Sequence, residues 1–239
     1  MTIHLVGGGP GTTDAALVAP FLAEVRGRGG RPRIGVVLAG TRVAERLARP
    51  GYARLLGGRS VDHVAVPLRP GRPVDPQLLA ALDGLVVGGG RTPRYLAGLA
   101  GAADAVGAAV RSGLPYLGFS AGAMVAPDLA LAGGWRSQGR PVAPRAWSEG
   151  LDELTSRPGL GLVRFAVDVH TAQAGTLGRT TALVAAGRPV AVGVDEGTCL
   201  ALEPGAADPD DGTVRGAGAV WTVRRSPDGV PLVTRRPAR

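Results

Sequence analysis

The residues best suited to chemistry lie between Leu114 and Met124, which read L-P-Y-L-G-F-S-A-G-A-M. This run holds one reactive polar group, the hydroxyl of Ser120, among apolar and small residues. Gly118, Ser120 and Gly122 fit G-x-S-x-G, the pattern of a nucleophile elbow, in which a buried strand turns sharply into a helix. Glycines suit both flanks because strand and helix come too close for a Cβ. Such a turn lifts the serine hydroxyl above the sheet and leaves the next amide, that of Ala121, free to donate to an oxyanion. The pattern is short and the chain holds 39 glycines, so a plain strand-to-helix junction with a serine N-cap fits the same letters. Context must decide.

A serine hydroxyl needs an adjacent general base, and the chain offers His4, His63 and His170. His4 falls inside the first expected strand and His63 inside the third. His170 ends the run F-A-V-D-V-H, just before a polar loop. In an open parallel sheet the strand carboxyl ends gather on the edge where ligands bind, which is also where an elbow presents its serine. Position therefore favours His170. The base in turn needs an acid to hold its tautomer. The run V-A-V-G-V-D-E-G-T sets Asp195 and Glu196 side by side at another strand end, one side chain toward that edge and one away. Asp168 shares a face with His170 and reads as a substrate contact or a support behind the site. The order Ser, His, acid differs from the Ser, acid, His of the α/β-hydrolases, and no histidine follows the acids. A second oxyanion amide could come from Gly89 or Gly90 in V-V-G-G-G, where a packing turn fits equally well.

The elements needed to position these groups can be read around them. Ile3 to Val6 is a short apolar strand ending in Gly7-Gly8-Gly9-Pro10-Gly11, with a helix from Thr13 to Arg26. The G-x-G-x-x-G spacing fails at Thr12 and no acid stands ~20 residues on, so a tight first turn is favoured over a phosphate cradle. Further strands are expected at Arg33–Ala39, Val61–Leu68 and Gly84–Val87, with helices at Thr41–Leu56 and Asp75–Leu82. Thr92 and Pro93 read as N-cap and first residue of a helix through Leu99, and Ala102–Ser112 as the next helix. After the elbow, residues Gly133 to Gly161 carry Trp135, Trp147, Gly and Pro without periodicity and read as a long surface excursion. Leu162–Val169 and Ala191–Val194 are strands, Glu203–Gly212 a loop, and Val214–Arg225 with Pro231–Thr234 a terminal hairpin before an Arg-rich tail. The alternation predicts an α/β fold, a doubly wound, mostly parallel sheet flanked by helices with a C-terminal β-hairpin. One domain is expected over residues 1–239, with 203–239 as loop, hairpin and tail.

Composition bounds the function class. Aromatic residues make up 4% against 45% hydrophobic residues overall, so the core must be built from Val, Leu and Ala. The net charge of +8 comes from arginine alone, because the sequence has no lysine. The arginines are scattered rather than clustered in a stripe with aromatics, which speaks against nucleic acid and leaves only a weak pull on acidic ligands. Cys199 is the single cysteine and reads as a small core residue, so neither a disulfide nor a cysteine metal cluster is expected. No apolar run approaches the ~18 residues of a membrane span and no basic n-region opens the chain. A cytoplasmic protein without membrane, nucleic-acid, metal or cofactor partners is expected, with a small peptide as substrate and a homodimer as the assembly allowed for.

Four segments taken together, V-V-G-G-G-R-T-P-R-Y-L, G-F-S-A-G-A-M, V-D-V-H and V-G-V-D-E-G-T-C-L, resemble the S51 serine peptidases, the group of aspartyl dipeptidase and cyanophycinase. They match that family's glycine strand end, elbow, D-x-H strand and D-E-x-T segment, in the same order over most of the chain. The resemblance implies a glutamine-amidotransferase-like α/β fold with Ser120 as nucleophile, His170 as base and Glu196 as acid. It also implies oxyanion amides from the Gly89–Gly90 turn and Ala121. Cyanophycinases carry D-Q-H-F followed by spaced arginines that hold an aspartyl carboxylate. Here Val169 and Thr171 replace the Gln and Phe, and Ala174 and Thr176 stand where two arginines would be. Gln173 and Arg179 remain at matching places and, with Asp168, are the expected substrate contacts. These departures speak against a β-Asp-Arg polymer as substrate.

The leading expectation is therefore a serine peptidase acting on small peptides, aspartyl peptides among them. A non-peptide amidase or esterase with the same triad is one alternative, and an amidotransferase-like binding protein without turnover is another. Cysteine-type glutaminase chemistry is disfavoured because the elbow carries Ser120. A phosphate or nucleic-acid binder built on Gly7–Gly11 ranks last.

Overall fold

The computed structural model describes residues 2–11, 14–40, 42–68 and 74–238. In chain order the strands are β1 (Ile3–Val6), β2 (Arg33–Val37), β3 (Asp62–Ala65), β4 (Gly84–Val87), β5 (Tyr116–Phe119), β6 (Leu129–Gly133), β7 (Arg136–Ser137) and β8 (Arg140–Pro141). They continue as β9 (Thr155–Pro158), β10 (Ala166–Val169), β11 (Val190–Val194), β12 (Thr198–Leu202), β13 (Thr213–Gly216), β14 (Ala219–Arg225) and β15 (Pro231–Pro237). The helices are α1 (Ala15–Arg26), α2 (Arg42–Leu55), α3 (Pro76–Ala80), α4 (Thr92–Leu99), α5 (Ala103–Arg111), α6 (Ala121–Met124), α7 (Thr171–Ala174) and α8 (Leu177–Ala185). The expected first residues of the first two helices, Thr13 and Thr41, lie outside the described residues, as does Thr12. Thr92, expected as a cap, is already helical, and Arg91 is the cap.

A seven-stranded sheet in the order β13-β12-β1-β5-β4-β2-β3 forms the centre. Its strands β1, β5, β4, β2 and β3 run parallel, β12 runs antiparallel to β1, and β13 antiparallel to β12. The apolar runs I-H-L-V, G-L-V-V and Y-L-G-F of β1, β4 and β5 are buried throughout, as strands covered on both faces must be. On one face α1 turns Leu17, Val18, Phe21, Leu22 and Val25 inward, a 3.6-residue stripe that meets β4 at Gly84. The other face is covered by α4 and α5 together with the later part of the chain.

One expectation needs correcting. The strand that ends in His170 does not belong to the central sheet. β10 and β11 pair in parallel within a second sheet, β10-β11-β14-β15, completed by a C-terminal hairpin β14–β15; the expected strand Val214–Arg225 is broken after Gly216, and its first part, β13, joins the central sheet instead. The chain then crosses from β11 to β12, which returns antiparallel to β1 in the central sheet. Antiparallel partners from later in the chain complete both sheets, and local apolar pattern does not encode such long-range pairing. Helix α8 and strand β12 lie outside the elements that the apolar pattern predicts.

The excursion from Gly133 to Gly161 has structure of its own. β6 pairs with β9, β7 with β8, and Trp135 Nε1 donates to Asp152 at 2.9 Å. No helix among the described residues is long and apolar enough to cross a membrane.

Candidate active site

Register brings three strand ends together. Val6, Phe119 and Val87 terminate β1, β5 and β4, with Val6 opposite Phe119 and Val87 opposite Gly118. The loops that follow are Gly7–Gly9, the elbow at Ser120 and Gly88–Gly90. Ser120 has φ 50° and ψ −109°, a strained conformation that persists only where the surroundings over-determine it. They do so here. Its amide donates to Val6 O at 2.9 Å, and its carbonyl accepts from the Ala123 and Met124 amides at 2.9 and 3.0 Å. A Cβ on Gly122 would lie 2.1 Å from Val87 O, and one on Gly118 would lie 2.5 Å from the Gly122 backbone. The glycines of the motif are therefore required by the turn they flank, and Tyr116 Oη locks the same turn from below by donating to Gly122 O at 2.7 Å.

His170 follows β10 in the left-handed region at φ 56°, ψ 34°, and its amide donates to Gly7 O at 2.9 Å, which ties the second sheet to the end of β1. Ser120 Oγ lies 2.8 Å from His170 Nε2, and His170 Nδ1 lies 2.6 Å from Glu196 Oε1. With Nδ1–H donated to the carboxylate, Nε2 is left to accept from the serine hydroxyl. Glu196 sits on the turn between β11 and β12, where Gln173 Oε1 accepts its amide at 2.9 Å. The Gly8 backbone passes over the His–Glu pair, since a Cβ there would lie 2.9 Å from Glu196 Cγ. The two adjacent acids point apart. Asp195 is buried and accepts from the Ala172 and Ala219 amides and from Trp221 Nε1, so it binds α7 to β14 rather than facing the site.

Two of the expected substrate contacts are placed elsewhere. Asp168 and Arg179 are 0% and 2% exposed and hold each other, Nε to Oδ2 at 2.8 Å and Nη2 to Oδ1 at 2.6 Å. The remaining arm of Arg179 donates to Trp147 O at 2.7 Å and Gly134 O at 3.3 Å. Burial opposes the guanidinium charge, but the Asp168 carboxylate holds its pKa above the ordinary value. Two ionic groups this deeply buried stay charged only as partners, so this pair fastens the excursion to β10 and is sealed from a ligand. Gln173 is exposed beside Glu196, with its carbonyl oxygen already accepting the Glu196 amide.

Of the three expected oxyanion amides, Gly89 N donates to Tyr52 Oη at 2.8 Å. The amides of Gly90 and Ala121 have no hydrogen-bond partner among the described residues.

The excursion brings groups that sequence reasoning passed over. The Trp147 ring stacks on His170 at 4.8 Å between centroids with a 36° tilt. Two residues on, Glu149 reaches the start of α4. Its carboxylate accepts from the Thr92 amide and lies 3.4 Å from Thr92 Oγ1, and its carbonyl accepts from Arg91. Burial pushes the Glu149 carboxyl above the usual range, against the pull of the Thr92 amide and of Arg179 and Arg91. A carboxyl raised on folding favours the neutral form, so the stability it adds is present at low pH and lost as pH rises through its folded pKa. Glu149→Gln keeps an acceptor for Thr92 and has no charge to desolvate. Its melting temperature is expected to exceed wild type by about 1–2 °C at pH 8, with no difference near pH 4. Thermal melts at the two pH values decide it, and an equal or lower melting temperature for the variant at pH 8 overturns the assignment.

Among the described residues no cluster of three or more His, Cys, Asp or Glu could hold a metal ion. Cys199 is buried with its thiol pushed up to about 12 by burial, so it is no nucleophile.

An elbow serine bonded to a histidine at the mouth of a mostly parallel sheet defines a serine hydrolase on an α/β scaffold. Comparison with known families narrows this. The model of peptidase family S51 matches residues 50–208, and the chain belongs to that family of serine-type peptidases. The fold is shared with a peptidase from an acI-B1 Actinobacterium at 18% identity and TM-score 0.64, covering 98% of this chain and 93% of that one. A Listeria monocytogenes EGD-e protein provisionally called peptidase E aligns at 15% identity and TM-score 0.56, covering 94% of this chain and 98% of that one. Among curated proteins no significant sequence match is found.

Proposed function

We propose that the protein hydrolyses small peptides with Ser120 as nucleophile, His170 as general base and then acid, and Glu196 as the group that orients His170. The observation that carries this reading is the unbroken line from Ser120 Oγ through the imidazole to Glu196 at 2.8 and 2.6 Å. His170 Nε2 takes the hydroxyl proton as Oγ bonds to the substrate carbonyl carbon, and the carbonyl oxygen becomes an oxyanion facing the Gly90 and Ala121 amides. The same proton passes to the departing amine nitrogen as the C–N bond breaks. Water then repeats the sequence on the acyl-enzyme and frees Ser120.

Selection of an aspartyl residue cannot come from Arg179, which is sealed against Asp168. The exposed cation beside the oxyanion turn is Arg91. Mass-spectrometric cleavage of a library of α-aspartyl, β-aspartyl and ordinary dipeptides, with wild type and Ser120→Ala, tests the proposal. Cleavage by wild type alone is expected. Equal cleavage by both proteins, or by neither, sinks it. Loss of an acidic preference in Arg91→Gln would assign that selectivity to Arg91.

A further inference from the structure

We propose that Trp147 is a positioning residue of the catalytic base: its indole face fixes the His170 ring between Ser120 and Glu196 and stabilises the imidazolium formed there. This rests on the reading of His170 as general base. The two rings lie 4.8 Å apart at a 36° tilt, within the range of offset aromatic stacking. An indole is the best of the aromatic faces for a cation, because its quadrupole presents negative charge. Taking the Ser120 proton as general base turns the imidazole into an imidazolium. A face that attracts the positive form therefore acts more strongly in the transition state than in the ground state, which is the condition for raising kcat.

The remaining surroundings of His170 leave this task to Trp147. The titratable groups in contact with the imidazole are Glu196 from the β11–β12 turn and Ser120 from the elbow. The Gly7–Gly9 loop brings backbone, α7 brings the neutral Gln173, and the excursion brings Glu149, whose carboxylate is turned toward Thr92. Glu196 is half exposed, and water shares its charge. His170 is held at left-handed φ and bonded at both ring nitrogens, and the Trp147 stack supports the ring against tilting out of that line.

Trp147 is placed from beneath. Its carbonyl accepts from Arg179 Nη1, and Arg179 is clamped bidentately on Asp168 of β10, two residues before His170. The ring and the base it covers are thus fixed to one buried ion pair. A tryptophan on a long excursion would otherwise have to be ordered at its own entropic cost.

The test uses the whole protein as wild type, Trp147→Phe, Trp147→Leu and Ser120→Ala. Leucine keeps an apolar cover over the imidazole but has no π face, and phenylalanine keeps a weaker one. With the best dipeptide from the library, kcat is expected to fall about threefold for Phe and about tenfold for Leu, with KM within about twofold of wild type. The pKa of His170 is read by NMR titration, with His170→Asn as the variant whose missing resonance fixes the assignment. It is expected to fall in the order Trp, Phe, Leu, by about half a unit to one unit in all. A raised KM with unchanged kcat and unchanged His170 titration would make Trp147 a plain wall of the substrate pocket and overturn the proposal. Equal values for all three side chains would overturn it too. If Leu fails to fold by circular dichroism, the Phe variant alone decides. Activity retained by Ser120→Ala would instead defeat the triad reading, and the NMR titration reports the stack in either case.

Discussion

Ser120→Ala and His170→Asn will each lower kcat by about 10⁴-fold or more while the protein stays folded. Neither loss involves the core. Ser120 is the hinge of a turn held by its own backbone bonds to Val6, Ala123 and Met124, all of which alanine retains. The hydroxyl contributes one hydrogen bond to His170, worth on the order of 1 kcal/mol in stability. Asparagine is chosen at position 170 because the backbone there is left-handed at φ 56°, a region asparagine tolerates and alanine does not. The double variant will be no slower than either single one, because removing the nucleophile already removes the reaction the base serves. Kinetics on purified variants, with circular dichroism as the fold control, measure all of this. Retention of more than about 1% of wild-type kcat by Ser120→Ala would mean that another group attacks.

The parts of this site set by local backbone were legible in the sequence, and the parts set by distant pairing were not. Gly118 and Gly122 announced the elbow because a steric demand over five residues leaves a mark at fixed spacing, and the 2.1 and 2.5 Å approaches are that demand. His170 was found because it ends an apolar run, although the run belongs to the second sheet and not to the one expected. The nearness of His170 to Ser120 does not depend on which sheet carries it, because His170 N–H bonds to Gly7 O and brings the two sheets to a common edge. Asp168 is expected as a substrate contact from its face and Arg179 from its place in the family pattern, and charged residues near a site look alike whether they face a ligand or each other. Only their burial separates the two cases, and burial is a property of the fold. The Gly89 amide was claimed for the oxyanion, whereas a tyrosine 37 residues upstream occupies it. Trp147 lay in a stretch without periodicity, so nothing in its neighbours pointed to a histidine 23 residues later.

The larger structural effect belongs to Arg179. Its replacement by alanine leaves the Asp168 carboxylate fully buried with the Val169 amide at 2.9 Å and a Thr180 hydroxyl at 3.5 Å, and strips the Trp147 carbonyl of its donor. An uncompensated buried charge of this kind costs about 3–5 kcal/mol, which for a chain of this length lowers the melting temperature by roughly 6–20 °C. Asp168→Leu should cost a similar amount by leaving the guanidinium alone. The two residues touch, so the losses cannot add. Asp168→Leu with Arg179→Met restores an apolar filling and should be more stable than either single variant, because desolvating the pair was itself expensive. Activity tells the rest. A substrate-binding arginine would, on removal, raise KM and leave the melting temperature alone. An arginine that fastens the excursion will lower the melting temperature, and in the compensated double variant it will lower kcat with KM nearly unchanged, because Trp147 has lost its anchor while the core is repaired. Thermal melts and steady-state kinetics on the three variants separate these outcomes, and a KM effect at constant stability would return Arg179 to the substrate.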